Sequence, residues 1–472
     1  SSYPKALSMT APRFRSAFPA GLLALCSLLA VDSQAAPYGG VIQEGPKGKK
    51  IVALVRKANK ESGFTGAVLA AEKGKVIAAV AVGEVDGKPL EPTSLFEIAS
   101  CTKPFTAVAV LKLAEEGKLS LDDPIAKHLP SIPEDCRAIT VRHLLQHTSG
   151  IPGENFQGAG TDLAEVLPTF LAGGPRTTPG EKHEYWNQGY ALLSEVIARA
   201  SGKPYTAYCR EAIFKPCKME STRFTGEKAP PKVRVAVGQS TRGAPRSALD
   251  HPYGEYGFQY RGMGGIVTSL VDLWRFDRAL KTGKLLKATS IAEMTTAGPG
   301  DYGLGWQVVE LEEGHTVHEH TGSVRGFLAS IRRDPASDGL LVVLANNDDG
   351  EPFDLVKAEC EAVLEGRKTS GAAKGLDPEL AKAIVGVYRD EQGRTFTVAV
   401  DGGRVTGVID WFGPKSFGFL SPTKTADLLF DMMQGGRPQP TNVIAVERDG
   451  EGKVKALTIT DLAPTLRFER AE

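Results

Sequence analysis

Residues 105–113 form an almost unbroken apolar block, Phe-Thr-Ala-Val-Ala-Val-Leu-Lys-Leu, which stops short of Gly117. A helix that is hydrophobic all round must be buried all round, so this block predicts a central helix with a glycine stop. Tyr190, Leu193, Val196 and Ile197 recur at helical spacing up to Gly202, and residues 271–280 form a further helical run closed by Gly283. Residues 68–71 and 76–80 flank Glu72-Lys73-Gly74-Lys75, which predicts an early hairpin. Residues 327–333 and 340–345 read as two strands joined through Asp334-Pro335-Ala336-Ser337-Asp338-Gly339. Strands therefore come from both ends of this region with helices between them, an order that predicts an α+β fold with a mainly antiparallel sheet flanked by helices.

The pattern changes after residue 367. Lys368-Thr369-Ser370-Gly371-Ala372-Ala373-Lys374-Gly375 is small and polar, and reads as a linker over 368–375. A short helix from Asp377-Pro378 to Ile384 follows. Phe396, Val398 and Val400 then alternate with smaller or polar neighbours up to Asp401-Gly402-Gly403, and residues 443–446 approach Asp449-Gly450 in the same way. These hairpin signals predict a mostly-β domain over 376–472, beside a main domain over 36–367. A length of 472 residues agrees with more than one core. The first residues differ from both domains: Arg13 and Arg15 precede an apolar stretch over 18–31, and Ser33-Gln34-Ala35 supplies small residues for cleavage. Residues 1–35 read as a secretory signal, too short to span a bilayer, so the expected location is periplasmic or secreted with no integral span after cleavage. Leu25 is too large for a lipid-anchor site at Cys26.

Charge narrows the partners. Lys plus Arg and Asp plus Glu are equal at 56 each, and there is no long basic run, which argues against nucleic acid or an anionic membrane. A small-molecule or short peptide-like substrate fits better. Five cysteines remain beyond the leader, an odd number without the doubled Cys-x-x-Cys of a zinc site. Cys209 and Cys217 are near enough in sequence to suggest a bridge, with buried free thiols as the alternative.

Ser100-Cys101-Thr102-Lys103 opens the apolar helix. Positions three apart share a helix face, so the Ser100 hydroxyl and the Lys103 amine can meet, while free N–H groups at a helix start favour a developing oxyanion. Burial lowers a lysine pKa and makes a neutral amine base feasible. Ser2-Tyr3-Pro4-Lys5 and Ser421-Pro422-Thr423-Lys424 share the spacing without the helix. Tyr185-Trp186-Asn187 stands before a predicted helix, where a phenol can move protons and an amide can hold a carbonyl or the lysine. His320-Thr321-Gly322 stands at a strand entrance, with the Ser323 N–H as a second oxyanion donor. Lys281-Thr282-Gly283 closes a helix and reads as a capped C-terminus. His318 and His320 would share a strand face as zinc ligands do, but His315 is out of phase and no fourth ligand follows at useful spacing.

Ser-x-x-Lys, Tyr-x-Asn and His-Thr-Gly in this order resemble the penicillin-recognising serine hydrolases, specifically the branch with class C beta-lactamases, D-alanyl-D-alanine carboxypeptidases, D-aminopeptidases and family VIII esterases. Leu144-Leu145-Gln146-His147-Thr148-Ser149-Gly150-Ile151-Pro152, Leu119-Ser120-Leu121-Asp122-Asp123-Pro124 and Gly264-Gly265-Ile266-Val267-Thr268-Ser269 agree with it. The resemblance implies an all-helical subdomain beside the sheet, with the site between them and an appended β domain. It implies acylation at Ser100, proton handling by Lys103 and Tyr185, substrate positioning by Asn187, His320, Thr321 and Gly322, and oxyanion N–H groups from Ser100 and Ser323, with no cofactor. Esters or amides of small or peptide-like substrates are the expected targets. A beta-lactamase and a non-catalytic penicillin-binding sensor are the alternatives. Histidine where relatives carry a charged lysine argues against beta-lactams, Arg325 is a candidate replacement charge, and Trp186 is expected to narrow the cleft.

Overall fold

A computed structural model of the chain describes residues 40–471 apart from 154–159, 241–242, 312–314, 368, 370–377 and short stretches between C-terminal strands at 402–403, 411–415, 423–427, 435–436, 439–441 and 460–464. The leader read in residues 1–35 and nearly all of the 368–375 linker lie outside the described residues. No helix among those described is long and apolar enough to cross a membrane.

The main sheet is antiparallel and draws its strands from both ends of the region, as the hydrophobic pattern predicts. Strand β1 (Ile42–Gln43) and helix α1 (Gly45–Ser62) lead into β2 (Gly66–Glu72) and β3 (Lys75–Val82). Lys73 and Gly74 turn this hairpin with φ of 52° and 70°, the paired left-handed conformation that matches strand twist. Helices α2 (Lys103–Glu115), α3 (Asn187–Ser201) and α4 (Leu270–Lys281) follow. Strands β5 and β6 come after the short β4 (Gln307–Glu310): β5 is Thr316–Val324 and β6 is Phe327–Asp334, with β7 at Gly339–Ala345 and α5 at Gly350–Leu364. The order across the sheet is β1-β3-β2-β7-β6-β5-β4.

Strand β7 is apolar at every position because both its faces are covered. Leu341, Val343 and Ala345 pack with Ile51, Val55, Phe353 and Val356 of α1 and α5. Leu340, Val342 and Leu344 instead join the larger cluster that contains Phe105, Val108 and Leu111 of α2. Phe105 stacks on Phe276 of α4 with ring centroids 3.9 Å apart. Each such residue contributes about 1.5–3 kcal/mol on full burial, so the apolar run of α2 fixes that helix in place.

Residues 378–471 build a second sheet. Helix α6 (Pro378–Ile384) precedes β8 (Gly386–Arg389), β9 (Thr395–Asp401), β10 (Arg404–Asp410), β11 (Ser416–Pro422), β12 (Leu428–Gln434), β13 (Asn442–Arg448), β14 (Val454–Ile459) and β15 (Leu466–Arg470). The antiparallel order β11-β10-β9-β8-β15-β14-β13-β12 closes through β11–β12 pairing, which leaves these strands without a free edge. Tyr388, Phe396, Ile409, Leu457 and Phe468 form an apolar cluster of their own. The β9–β10 and β13–β14 hairpins are the two that alternation predicts.

Two expectations change here. Cys209 and Cys217 are both buried free thiols. Cys209 ends the helical turn Tyr205–Cys209, whereas Cys217 lies beyond the next one, Arg210–Phe214. Trp186 does not narrow a cleft: it is 2 % exposed and packs within the main apolar cluster, its ring against Gly189 of α3.

Candidate active site

Ser100 stands one turn earlier than a simple helix start would place it. It occupies a 3-10 turn, Ala99–Thr102, that runs into α2. Ala99 is in the left-handed region at φ 44°, a conformation that a residue with a Cβ holds only under support from its surroundings. A buried ionic node lies two residues earlier. The Glu97 carboxylate accepts from the Arg246 guanidinium and from the Tyr260 hydroxyl, all three groups being buried. Arg246 Nε also donates to the Arg325 carbonyl at 3.0 Å, tying the node to the β5–β6 turn.

Lys103 is wholly buried, and its Nζ lies 3.0 Å from Ser100 Oγ, 2.8 Å from Asn187 Oδ1 and 3.2 Å from the Met263 carbonyl. Asn187 is the first residue of α3. Met263 is brought in by α2 itself, because Thr106 Oγ1 donates to Gly262 O at 2.7 Å and Ile266 N–H donates to Thr102 Oγ1 at 3.3 Å. Burial drives the Lys103 pKa well below its usual value. A neutral amine has two N–H bonds, which the two carbonyl oxygens accept. Its lone pair is then left for the Ser100 hydroxyl, the arrangement a general base requires. The Tyr185 ring flanks the same nitrogen at 4.8 Å and the Tyr190 ring at 5.5 Å.

Strand β5 forms the opposite wall. Its Thr316–Glu319 half pairs with β4, whereas among the described residues 320–324 pair only with β6. A Cβ on Gly322 would lie 2.2 Å from Ile98 O and 3.1 Å from Ser100 N, so only glycine lets this strand pass so close to the Ser100 turn. Cys101 Sγ donates to the His320 carbonyl at 3.1 Å and fastens the same crossing. Alternation puts His320 and Gly322 on the buried side, with Thr321 and Ser323 exposed.

The His320 ring is used inside the fold. Nδ1 lies 2.7 Å from the Thr321 carbonyl, which can only accept, so Nδ1 carries the proton. Nε2 then has a lone pair and accepts from the Tyr302 hydroxyl at 2.9 Å. Burial and the nearby Lys103 push the His320 pKa down to about 3. His320 therefore offers the cleft neither a cation nor a free ring nitrogen, in contrast to the substrate-binding role that its motif suggests. Arg325 is exposed at the following turn, beside Gly243. His315 is held 3.7 Å from Asp334, and no group of three His, Cys, Asp or Glu side chains able to hold a metal occurs among the described residues.

Three participants were not singled out by sequence reasoning. Tyr302 is 4 % exposed and completes the His320 lock; the dense glycine-aromatic stretch Tyr302-Gly303-Leu304-Gly305-Trp306 was its only signal. The Met263 contribution is a backbone carbonyl, which no side-chain pattern reveals. His147 lies beneath Tyr185 with ring centroids 4.1 Å apart, although its motif could be read only as a phrase.

The beta-lactamase family model matches residues 51–363. Penicillin-binding protein 4* of Bacillus subtilis (strain 168) is 28% identical over 398 residues, which cover 76% of this chain and 87% of that protein. Among solved structures, the octameric penicillin-binding protein homologue from Pyrococcus abyssi is 25% identical with a TM-score of 0.63, over 89% of this chain and 99% of that one. A D-stereospecific amidohydrolase from Streptomyces sp. is 26% identical with a TM-score of 0.53, over 68% and 99% respectively. The Ser100 turn, the buried lysine and the crossing strand all fall inside the matched residues, and the chain belongs to the beta-lactamase family, the penicillin-recognising serine hydrolases.

Proposed function

We propose that this protein hydrolyses esters or amides of small or peptide-like substrates through an acyl-enzyme on Ser100. The observation that carries the reading is the convergence on Lys103 Nζ of Ser100 Oγ at 3.0 Å, Asn187 Oδ1 at 2.8 Å and the Met263 carbonyl at 3.2 Å, so that in its neutral form the amine can spend both N–H bonds on the two carbonyl oxygens and turn its lone pair to Ser100. As Oγ attacks the substrate carbonyl carbon, its proton passes to Lys103 Nζ, and the developing oxyanion is held by the N–H groups of Ser100 and Ser323. Collapse of the tetrahedral intermediate breaks the bond to the alcohol or amine. That leaving group takes the proton from Lys103, with Tyr185 beside it to assist the transfer. Water attacks the acyl carbon in the second half and gives its proton to the lysine, which returns it to Ser100 Oγ as the acyl–Oγ bond breaks and the acid leaves. The leader read at residues 1–35 would place this chemistry in the periplasm or outside the cell.

His320 supports one substrate class over another. A neutral ring with both nitrogens engaged provides no counter-ion for a carboxylate, so uncharged esters and amides fit this site better than beta-lactams. Amides of D-amino acids are the first to test, given the D-stereospecific amidohydrolase among the neighbours. A fluorophosphonate should label Ser100, and Ser100→Ala should abolish both labelling and turnover of an activated ester. Turnover that survives in Ser100→Ala would defeat the proposal. A panel of short-chain esters, D-amino-acid amides and a chromogenic cephalosporin ranks the substrates, and a stable penicillin adduct without turnover would instead favour a sensor.

A further inference from the structure

His147 is built into the site more tightly than its place outside the three motifs suggests. It is 2 % exposed and adopts φ 57°, again in the left-handed region. Its Nδ1 accepts from the Trp186 backbone N–H at 3.0 Å, between Tyr185 and Asn187. Its own carbonyl accepts from the Glu184 N–H at 2.8 Å, on the other side of Tyr185. Its ring packs against the Tyr185 ring at 4.1 Å and 35°, and Tyr185 in turn flanks Lys103 Nζ. One residue thus grips the Tyr-x-Asn box by its backbone and by its ring.

We propose that His147 is a positioning residue for the hydrolysis, with its ring the platform that holds the Tyr185 phenol beside Lys103 and its Nδ1 the anchor that sets the backbone entering Asn187. The inference rests on the Ser100 reading above. Because Nδ1 accepts, the proton of the neutral ring is on Nε2, which is buried and meets no hydrogen-bond partner among the described residues. The titratable groups facing it are Lys103, His183, His320, Tyr185, Tyr190 and Tyr302. Burial is the main cause that holds its pKa well below the ordinary histidine value.

The two functions can be separated. His147→Asn keeps an acceptor in the position of Nδ1 and tolerates the left-handed backbone, but lacks the platform. His147→Phe keeps a ring and lacks the acceptor. With an activated ester, each variant is expected to lose about 10²-fold in kcat with KM within about twofold, the scale of a misplaced catalytic group. In His147→Asn the acid limb of kcat/KM moves to higher pH, because water entering the vacated volume solvates the Lys103 ammonium. Circular dichroism sets the assay temperature below the melting midpoint of each variant, so a loss of stability is not mistaken for a loss of positioning. If either folded variant keeps kcat within twofold of wild type with an unmoved acid limb, the proposal fails while the Ser100 reading stands. If the wild type is not labelled at Ser100 by a fluorophosphonate, both fail together.

Discussion

The two walls of the cleft each hold a basic side chain whose pKa burial lowers, and they use it in opposite ways. On the helical wall Lys103 has two carbonyl partners and one direction left open, toward Ser100 Oγ. On the strand wall His320 has a partner for each nitrogen and nothing left over. Burial alone therefore does not decide what a basic group can do. What separates a reactive group from a structural one is whether its hydrogen-bonding capacity is exhausted within the fold.

The largest effect should come from removing the open direction. Lys103→Met takes away the base while keeping a chain of similar length, and kcat for an activated ester should fall by about 10³–10⁴-fold with circular dichroism unchanged. A loss below tenfold would mean that the two walls do not differ as described. His320→Lys attacks the other wall. It places an ammonium in a buried slot near Lys103 and removes the acceptor for Tyr302, so urea denaturation should show a loss of roughly 3 kcal/mol. If the folded fraction of His320→Lys gains acylation by a penicillin, the missing counter-ion is what excludes beta-lactams in the wild type.

Acid should sharpen the same contrast on a smaller scale. The His320 pKa is about 3 in the folded protein, below the roughly 6.5 of an unfolded histidine. Between those values the unfolded chain binds a proton that the folded protein refuses. The stabilisation is thus complete above about pH 6.5 and is lost as pH falls toward 3, with a limiting slope of about 1.4 kcal/mol per pH unit for this one group. His318, whose pKa is lowered to about 4 chiefly by burial, adds in the same direction. Subtracting the pH profile of His320→Gln from that of the wild type isolates the first contribution. Parallel profiles between pH 6 and 4 would show that the ring is not locked neutral.

The elements legible in the sequence are those whose environment is uniform along them. Helix α2 is apolar all round, β7 is covered on both faces, and the β2–β3 turn needs a residue such as Gly74 at positive φ; each leaves a local pattern. Ser100, Lys103, Asn187 and Gly322 converge as their motifs suggest, since spacing within a motif fixes which side chains share a face. What sequence could not supply are contacts between distant segments: the Met263 carbonyl brought in by Thr106, the Tyr302 hydroxyl on His320, and the Glu97–Arg246–Tyr260 node. Trp186 shows the same limit from the other side. Its neighbours in the motif face Lys103, but the turn into α3 sends its ring into the apolar cluster.

The finest test of the two walls is Tyr302→Phe. The substitution keeps the ring that packs 4.9 Å from His147 and removes only the hydroxyl that donates to His320 Nε2. A buried acceptor left without its donor should cost ~1 kcal/mol, readable as a shift in urea midpoint at constant m-value. His320 can recover the lost partner by admitting water or by turning its ring, and either change gives the strand wall the open direction that it lacks in the wild type. Ester hydrolysis should then stay near the wild-type rate, because the Lys103 side is untouched, while the histidine becomes able to meet a ligand. If Tyr302→Phe instead abolishes ester turnover, Tyr302 handles protons in the reaction and the line between a reactive and a structural wall has been drawn in the wrong place.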